Sequence, residues 1–368
     1  MASVTLEPYY DYDENYTHDY EETSSSSSPS HLPWSHIYLP ALYFLMFFVG
    51  VFGNFFVIVV MASKRKRSAR LVDTFVLNLA VADLVFVLTL PLWAVSAGQH
   101  HLWPFGDPLC KISSYIIAVN RFSNIFFLTC MSIDRYLAVV RLMDSRFLRS
   151  NQCMKLTCVL VWLTSLVLGI PSLVFRKVIS QDEADRCQED MESVLFQAVC
   201  LLTIVLTFML PVFIILFCYG SILAQLRHHC KVTSNGRAEA RHRHSVKIVF
   251  TIITAFVVSW LPFNVFKCIW VISEIFKTEI NMENKIVLSN GLILSSCLAF
   301  LNSCVNPVIY LLLDHHFRRR ARNLCLFFLG RGGVTESYIS SNSLSNGTSE
   351  SLSGTTTRSR LHSVNLKT

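Results

Sequence analysis

Tyr38 to Ala62 reads YLPALYFLMFFVGVFGNFFVIVVMA, a stretch without one charged side chain, and the basic run Lys64-Arg65-Lys66-Arg67 follows it almost at once, with Arg70 just beyond. A helix needs roughly 20 mostly apolar residues to cross the hydrocarbon layer. Inside that layer the backbone must satisfy its own polar groups, which a helix does within a single segment. The stretch therefore reads as a spanning helix. Its basic flank marks the cytoplasmic end, because short loops rich in Lys and Arg stay inside.

Six more stretches of this kind follow, near 71–97, 107–140, 153–172, 194–226, 244–272 and 286–313. The whole chain agrees: of 368 residues 52% are hydrophobic and only 15% charged, too apolar for two ordinary water-soluble domains. The expected fold class is an all-α membrane protein, a seven-transmembrane helix bundle with a short amphipathic cytoplasmic helix. Four parts are expected: an acidic, disordered extracellular tail (1–36), the seven-helix domain (37–313), an amphipathic membrane-surface helix (314–328) and a disordered Ser/Thr-rich cytoplasmic tail (329–368).

The net charge of +7 matters less than where the charges lie. Arg141, Arg146, Arg149 and Lys155 follow the third stretch, and Arg227, Lys231, Arg237, Arg241, Arg243 and Lys247 separate the fifth from the sixth. All belong with Lys64 on the inner side, and no Lys or Arg precedes Lys64, so the N-terminus is expected outside and the C-terminus in the cytoplasm. Basic loops this short, each tied to a span, argue against nucleic acid as a partner. Met1 to His36 has no apolar core of a signal peptide, so the first span is expected to direct insertion itself.

Most of the 12 cysteines fall within spans or on the inner side, where small packing residues are the usual outcome. Cys110 and Cys187 form the obvious outer pair, and a bridge between them is expected. Asn15-Tyr16-Thr17 is a glycosylation sequon on the outward tail, whereas Asn346-Gly347-Thr348 falls on the cytoplasmic side. Between Asp314 and Cys325, Phe317 and Leu324 alternate with Arg318, Arg319, Arg320 and Arg322, which suits a helix lying on the inner lipid surface. Cys325 there is a candidate for palmitoylation. The Ser/Thr-rich segment from Ser337 to Ser363 is either a solvated tail or a phosphorylation target that recruits regulatory partners.

Polar groups inside spans are costly and therefore functional by default. Asn54, Asp83, Asn120, Asn124, Asn302, Ser303 and Asn306 are expected to converge. A buried carboxylate among amide and hydroxyl oxygens suits sodium, and a water-filled hydrogen-bond network is the alternative; both stay open. Pro91, Pro171, Pro211, Pro262 and Pro307 each remove a backbone hydrogen bond, so the bundle is kinked and has more than one packing, as a transmembrane switch requires. No phosphate-binding loop, nucleophile elbow or zinc-protease pair is present, which argues against an enzyme. Inverted repeats of the transporter kind are not apparent either.

Seven motifs in register carry a resemblance. Gly53-Asn54, Leu79-Ala80-Val81-Ala82-Asp83, Asp134-Arg135-Tyr136, Trp162, Pro211 with Tyr219, Phe256 with Ser259-Trp260-Leu261-Pro262, and Asn306-Pro307-Val308-Ile309-Tyr310 match the signature set of rhodopsin-like (class A) G-protein-coupled receptors. Thr89-Leu90-Pro91-Leu92-Trp93, Trp103-Pro104-Phe105-Gly106 and the acidic, Tyr-rich first tail resemble the chemokine-receptor branch. The resemblance covers roughly residues 36–325.

The resemblance implies a cell-surface receptor for a secreted chemokine-like protein or basic peptide, coupled to a heterotrimeric Gi/o protein and supporting chemotaxis. Receptor kinases and arrestin would act at its C-terminal tail. A scavenging receptor that internalises ligand without signalling is the rival, and the intact Asp134-Arg135-Tyr136 argues against it. Arg135 would leave Asp134 on activation, with Tyr219 and Tyr310 supporting it, while Trp260, Phe256, Asn306 and Pro307 relay pocket occupancy. Tyr9, Tyr10, Tyr12, Tyr16 and Tyr20 lie among acids, a setting for tyrosine sulfation in related receptors, and would capture a basic ligand; a merely solubilising tail is the alternative.

Three departures stand out. Neither Met1 to His36 nor Ser273 to Lys285 offers a cysteine for the second outer disulfide of chemokine receptors. The start of the sixth helix reads Arg241-His242-Arg243-His244, without the acid that restrains the arginine in some relatives. Ser296 stands where many chemokine receptors place a Glu.

Arg121 points to the ligand's chemistry. At 100° per residue Ser114, Ile117, Arg121, Asn124, Leu128 and Arg135 share one stripe of the third helix, which faces the interior if Arg135 reaches the cytoplasmic cleft. Arg121 would then sit roughly 16 Å below Cys110, near mid-membrane, where a charge costs about 2.5 kcal/mol or more. It needs an anionic partner: Asp83, a ligand carboxylate with Lys267 as a second cation near the mouth, or water-mediated carbonyls. Trp93, Trp260, Asn264 and Ser296 are expected to line the same pocket.

Overall fold

The structure is a computed structural model and describes residues 32–63, 71–140, 150–181, 184–190, 193–230, 236–278 and 281–328. In chain order its elements are α1 (Ser35–Ala62), α2 (Leu71–Val87), α3 (Leu90–Gly98), α4 (Gly106–Val139), α5 (Asn151–Phe175), β1 (Arg176–Gln181), β2 (Ala184–Glu189), α6 (Val194–Ile204), a π-helical turn (Val205–Met209), α7 (Leu210–Cys230), α8 (Gly236–Ile275), α9 (Met282–Leu313) and α10 (His315–Phe328). Among the described residues seven helices are long and apolar enough to cross a membrane. They are the seven expected stretches; α2 with α3 forms the second, and α6, the π-turn and α7 form the fifth.

Prolines explain where two of the spans are irregular. Pro91 has no N–H to continue the ladder, so the second span breaks at Leu88 and Thr89, and the Thr89 hydroxyl donates to the Phe86 carbonyl at 2.8 Å. In the fifth span the π-turn lies just before Pro211, which lies in the first turn of α7. The helices pack through small residues. A Cβ added at Gly53 would stand 3.0 Å from the Pro307 ring, so the glycine lets the first span touch the seventh. Asn54 beside it donates to the Ser303 carbonyl at 2.9 Å and stitches that contact.

Two apolar clusters hold the bundle. One fills its inner part around Leu128, Met131, Ile222, Ile252 and Phe256; the other joins the first, second and seventh spans around Leu39, Met46, Phe86 and Leu90. Outward faces stay apolar, as a lipid solvent demands: Phe52, Phe213 and Leu216 are all exposed. α10 buries Phe317 and Ala321 and leaves Arg318, Arg319 and Arg322 exposed. Asp314 caps it, accepting from the His316 and Phe317 amides, and Arg320 reaches buried Asp73 at 3.2 Å.

The connection between the fourth and fifth spans is a β-hairpin. β1 and β2 run antiparallel with Val178 opposite Cys187. Tertiary ties build it: the Cys110–Cys187 disulfide forms as expected, Asp107 accepts from the Val178 amide at 3.0 Å, and Trp103 N donates to the Asp185 carbonyl at 2.8 Å. The hairpin is thereby pinned over the top of the third span.

Candidate functional site

Beneath the hairpin lies a cavity of about 280 Å³ walled by several spans. Of the residues expected to line it, Trp93, Ser114, Ile117, Arg121, Trp260 and Ser296 do. Ile117 lies one turn above Arg121 on α4, so the helical stripe is real. Lys267 lines a smaller adjoining cavity of about 70 Å³, which shares Arg121 and Arg176 with the first. Asn264 lines neither; its amide donates to the Trp260 carbonyl one turn back at 2.8 Å, the nearest acceptor for a buried side chain.

Glu189, the last residue of β2, belongs to the site without any sign of it in the sequence. Its carboxylate pairs with Lys267 and with Arg176 at 3.3 Å, and it lines both cavities beside Arg121. Burial alone would raise its pKa, but the charges of Lys267, Arg176 and Arg121 outweigh that and hold the carboxyl at about 2. It is fully ionised at neutral pH. Nothing in a loop's composition marks which of its acids turns inward; only the disulfide two residues earlier hinted that β2 is held over the pocket.

Arg121 lies over aromatic rings, with its guanidinium carbon 4.7 Å from the Phe122 centroid, 5.8 Å from Trp260 and 5.9 Å from Phe263. No described residue accepts a hydrogen bond from it, and its Nε is buried without a partner. Arg176 in turn lies over Trp93, 5.3 Å from the ring centroid. Three cations thus face the paired cavities against the carboxylate of Glu189, the one acid among their lining residues.

Asp83 is not Arg121's partner. Its Oδ1 accepts from Asn120 at 2.9 Å, Asn124 at 2.8 Å and Ser303 at 2.7 Å, and its Oδ2 accepts from Asn306 at 2.9 Å. The convergence expected from sequence is there, with Asn54 and Asn302 alongside. Buried amide oxygens of Asn54, Asn124, Asn302 and Asn306 have no hydrogen-bond partner, and such oxygens are the donor type a sodium ion takes. An ion would have to displace amide N–H groups that already satisfy the carboxylate. Among the described residues no group of three or more His, Cys, Asp or Glu could hold a metal.

At the inner end Arg135 is paired with Asp134 at 2.5 Å. The Tyr310 hydroxyl and the Trp260 indole N–H are buried without hydrogen-bond partners. Phe256 stacks on Trp260 with centroids 6.0 Å apart, so the cavity floor touches the core that packs Tyr219 and Tyr310. Buried unmet donors of this kind suit groups that take partners in another conformation. The sequence-expected tyrosines of the first tail (Tyr9, Tyr10, Tyr12, Tyr16, Tyr20), the Asn15 sequon and the Ser/Thr-rich tail lie outside the described residues; Cys325 is exposed on α10.

Comparison with known proteins agrees with this arrangement. The profile of the 7 transmembrane receptor (rhodopsin family) matches residues 53–310. The chain is 43% identical over 299 residues to probable G-protein coupled receptor 25 of Mus musculus, covering 80% of each chain. It is 35% identical over 325 residues to G-protein coupled receptor 15 of Mus musculus, covering 88% of this chain and 87% of the relative. With the apelin receptor of Xenopus tropicalis it shares 33% over 375 residues, 99% of this chain and 98% of that one. With seven spans, a cavity roofed by the hairpin and an Asp134–Arg135 ion pair at the other end, the chain belongs to the rhodopsin family of seven-transmembrane receptors and is a multi-pass plasma-membrane receptor rather than an enzyme.

Proposed function

We propose that this receptor binds a secreted basic peptide or chemokine-like protein whose anionic end, such as a free C-terminal carboxylate, enters the cavity and meets Arg121. The observation that carries the proposal is the charge imbalance of the cavity walls, three cations against one acid, with Arg121 in no hydrogen bond or ion pair among the described residues. A ligand carboxylate would complete that set, and a guanidinium receives it through two parallel hydrogen bonds. The acidic, tyrosine-rich first tail would lie outside the cell and capture the ligand's basic body, raising the encounter rate. Likeness to a receptor named for apelin supports a peptide ligand.

Occupancy would move Trp260 and Phe256, open the inner end and release Arg135 from Asp134 toward a heterotrimeric G protein, which we take to be of the Gi/o class and to support chemotaxis. Receptor kinases and arrestin would act on the cytoplasmic Ser/Thr-rich tail, Cys325 would carry a palmitoyl anchor beside the basic face of α10, and Asn15 would be glycosylated. The test is a screen of basic peptides with free and amidated C-termini, read as G-protein activation and as a fall in cyclic AMP blocked by pertussis toxin. Activation by free-acid but not amidated forms supports the proposal. Uptake of ligand without G-protein activation would sink it.

A further inference from the structure

The cationic pocket already holds one carboxylate of its own. Glu189 is delivered by β2, two residues beyond the disulfide to Cys110, and engages Lys267 and Arg176. Arg121 lines both cavities with Arg176 and Glu189, and the smaller one with Lys267 as well, yet lacks a hydrogen-bond or ion-pair partner among the described residues. The walls are thus divided into two cationic subsites. The outer one, Lys267 with Arg176, is filled by the receptor itself; the inner one, Arg121, is open.

We infer that Glu189 is a specificity-determining residue that occupies one of two anion subsites, so that the receptor accepts a ligand end bearing a single carboxylate and gains nothing from a second. This rests on the reading above that the pocket takes an anionic ligand end. The first anionic group of a ligand pairs with Arg121. A second would have to displace Glu189 from Lys267, trading one carboxylate for another, while the displaced Glu189 stays tethered nearby and repels it. An ending such as -Ala-COO⁻ is favoured over -Asp-COO⁻, and an acidic side chain next to the terminus is disfavoured.

The arrangement also sets the second requirement on the ligand. Glu189 cancels part of the positive field, so a basic residue a few positions from the ligand's terminus enters at little electrostatic penalty. A pocket carrying all three cations uncompensated would reject it. Tail and pocket then accept the same molecule: a basic body with one negative end.

The experiment uses the full-length receptor in detergent at fixed ionic strength, with N-acetylalaninamide, N-acetylalanine and N-acetylaspartate as neutral, singly and doubly charged probes, and thermal stabilisation as the readout. In the native chain N-acetylalanine stabilises, the amide does not, and N-acetylaspartate does no better than N-acetylalanine. In Glu189→Gln the outer subsite is vacated at nearly constant side-chain volume, and N-acetylaspartate outperforms N-acetylalanine by about tenfold in apparent affinity, as expected when a competitor that filled the site most of the time is removed. Glu189→Asp, which keeps the charge, leaves the native order and controls for folding. An unchanged ratio of the two acids in Glu189→Gln overturns the inference while leaving Arg121 as an anion site. A native chain that already prefers the dianion overturns it as well. If no acid outperforms the amide in either chain, and Arg121→Ala changes nothing, the anionic-end reading itself fails and this inference falls with it.

Discussion

Two polar clusters of this receptor, one buried and one lining the cavity, are built from opposite ratios. Around Asp83, four donors close on one carboxylate; around Glu189, three cations share one. In the first cluster the carboxylate is satisfied from within, and its hydrogen bonds tie the second, third and seventh spans together. The second is left short of negative charge, at the end of the bundle opposite the Asp134–Arg135 pair. A satisfied buried network specifies a packing; an unsatisfied one in a cavity invites a ligand. The contrast assigns different tasks to residues that look alike in sequence, since both clusters are simply polar interruptions of apolar helices.

The largest expected effect separates the two clusters through Arg121. Replacing it by Ala should lower the potency of a free-acid agonist by about a hundredfold or more while leaving surface expression intact, because a buried hydrogen-bonded charge pair truncated on one side loses about 2–5 kcal/mol. Arg121→Lys should recover only part, for want of the planar fork. Concentration–response curves for G-protein activation decide it; equal potency in Arg121→Ala would place Arg121 among structural residues.

Next comes the balanced cluster. Asp83→Ala leaves four donors facing each other, and each orphaned polar group costs about 1–3 kcal/mol. Thermal denaturation of the purified receptor should show a loss of several degrees, independent of ligand. A variant as stable as the native chain would mean the network is dispensable to the packing, and the two clusters would no longer differ in task.

A smaller effect concerns the first tail. Deleting residues 1–22 should slow association of a basic ligand about tenfold at low salt, and the deficit should shrink as salt is added, since screening removes long-range attraction. Association rates at two ionic strengths test this. A deficit that ignores salt would argue for a packed contact instead of electrostatic capture.

The smallest effect is a flat line. The Glu189 carboxyl is depressed from 4.5 to about 2, so the stability it contributes is present above pH 4.5 and lost as pH falls toward 2. The stability difference between the native chain and Glu189→Gln should therefore be the same at pH 7.5 and pH 5. A decline over that interval would show that Lys267 and Arg176 do not hold the carboxylate as the geometry implies.

Particular residues show how far the sequence could be read. Arg121 was legible because a charge on an otherwise apolar stretch has few tolerable directions, and its helical phase with Arg135 chose one. The Asp83 cluster was legible for the same reason. Asn264 misled, because an amide on the right helix does not reveal whether it turns to the cavity or back to its own backbone. Glu189 was invisible: acids in loops are common, and periodicity does not order a hairpin whose shape depends on a disulfide and on Asp107 and Trp103 from elsewhere in the chain.

Sequence by itself determined the seven spans, the motifs that mark the receptor family and the Cys110–Cys187 pair, because lipid imposes a simple length and polarity rule that a chain must obey segment by segment. Only the tertiary structure decided which charges meet. It gave Asp83 to amides and a hydroxyl, gave Lys267 to Glu189, and left Arg121 over aromatic rings facing a cavity. Pairing of charges depends on distances between side chains far apart in the chain, and these exist only once the helices have packed and the hairpin has been pinned above them.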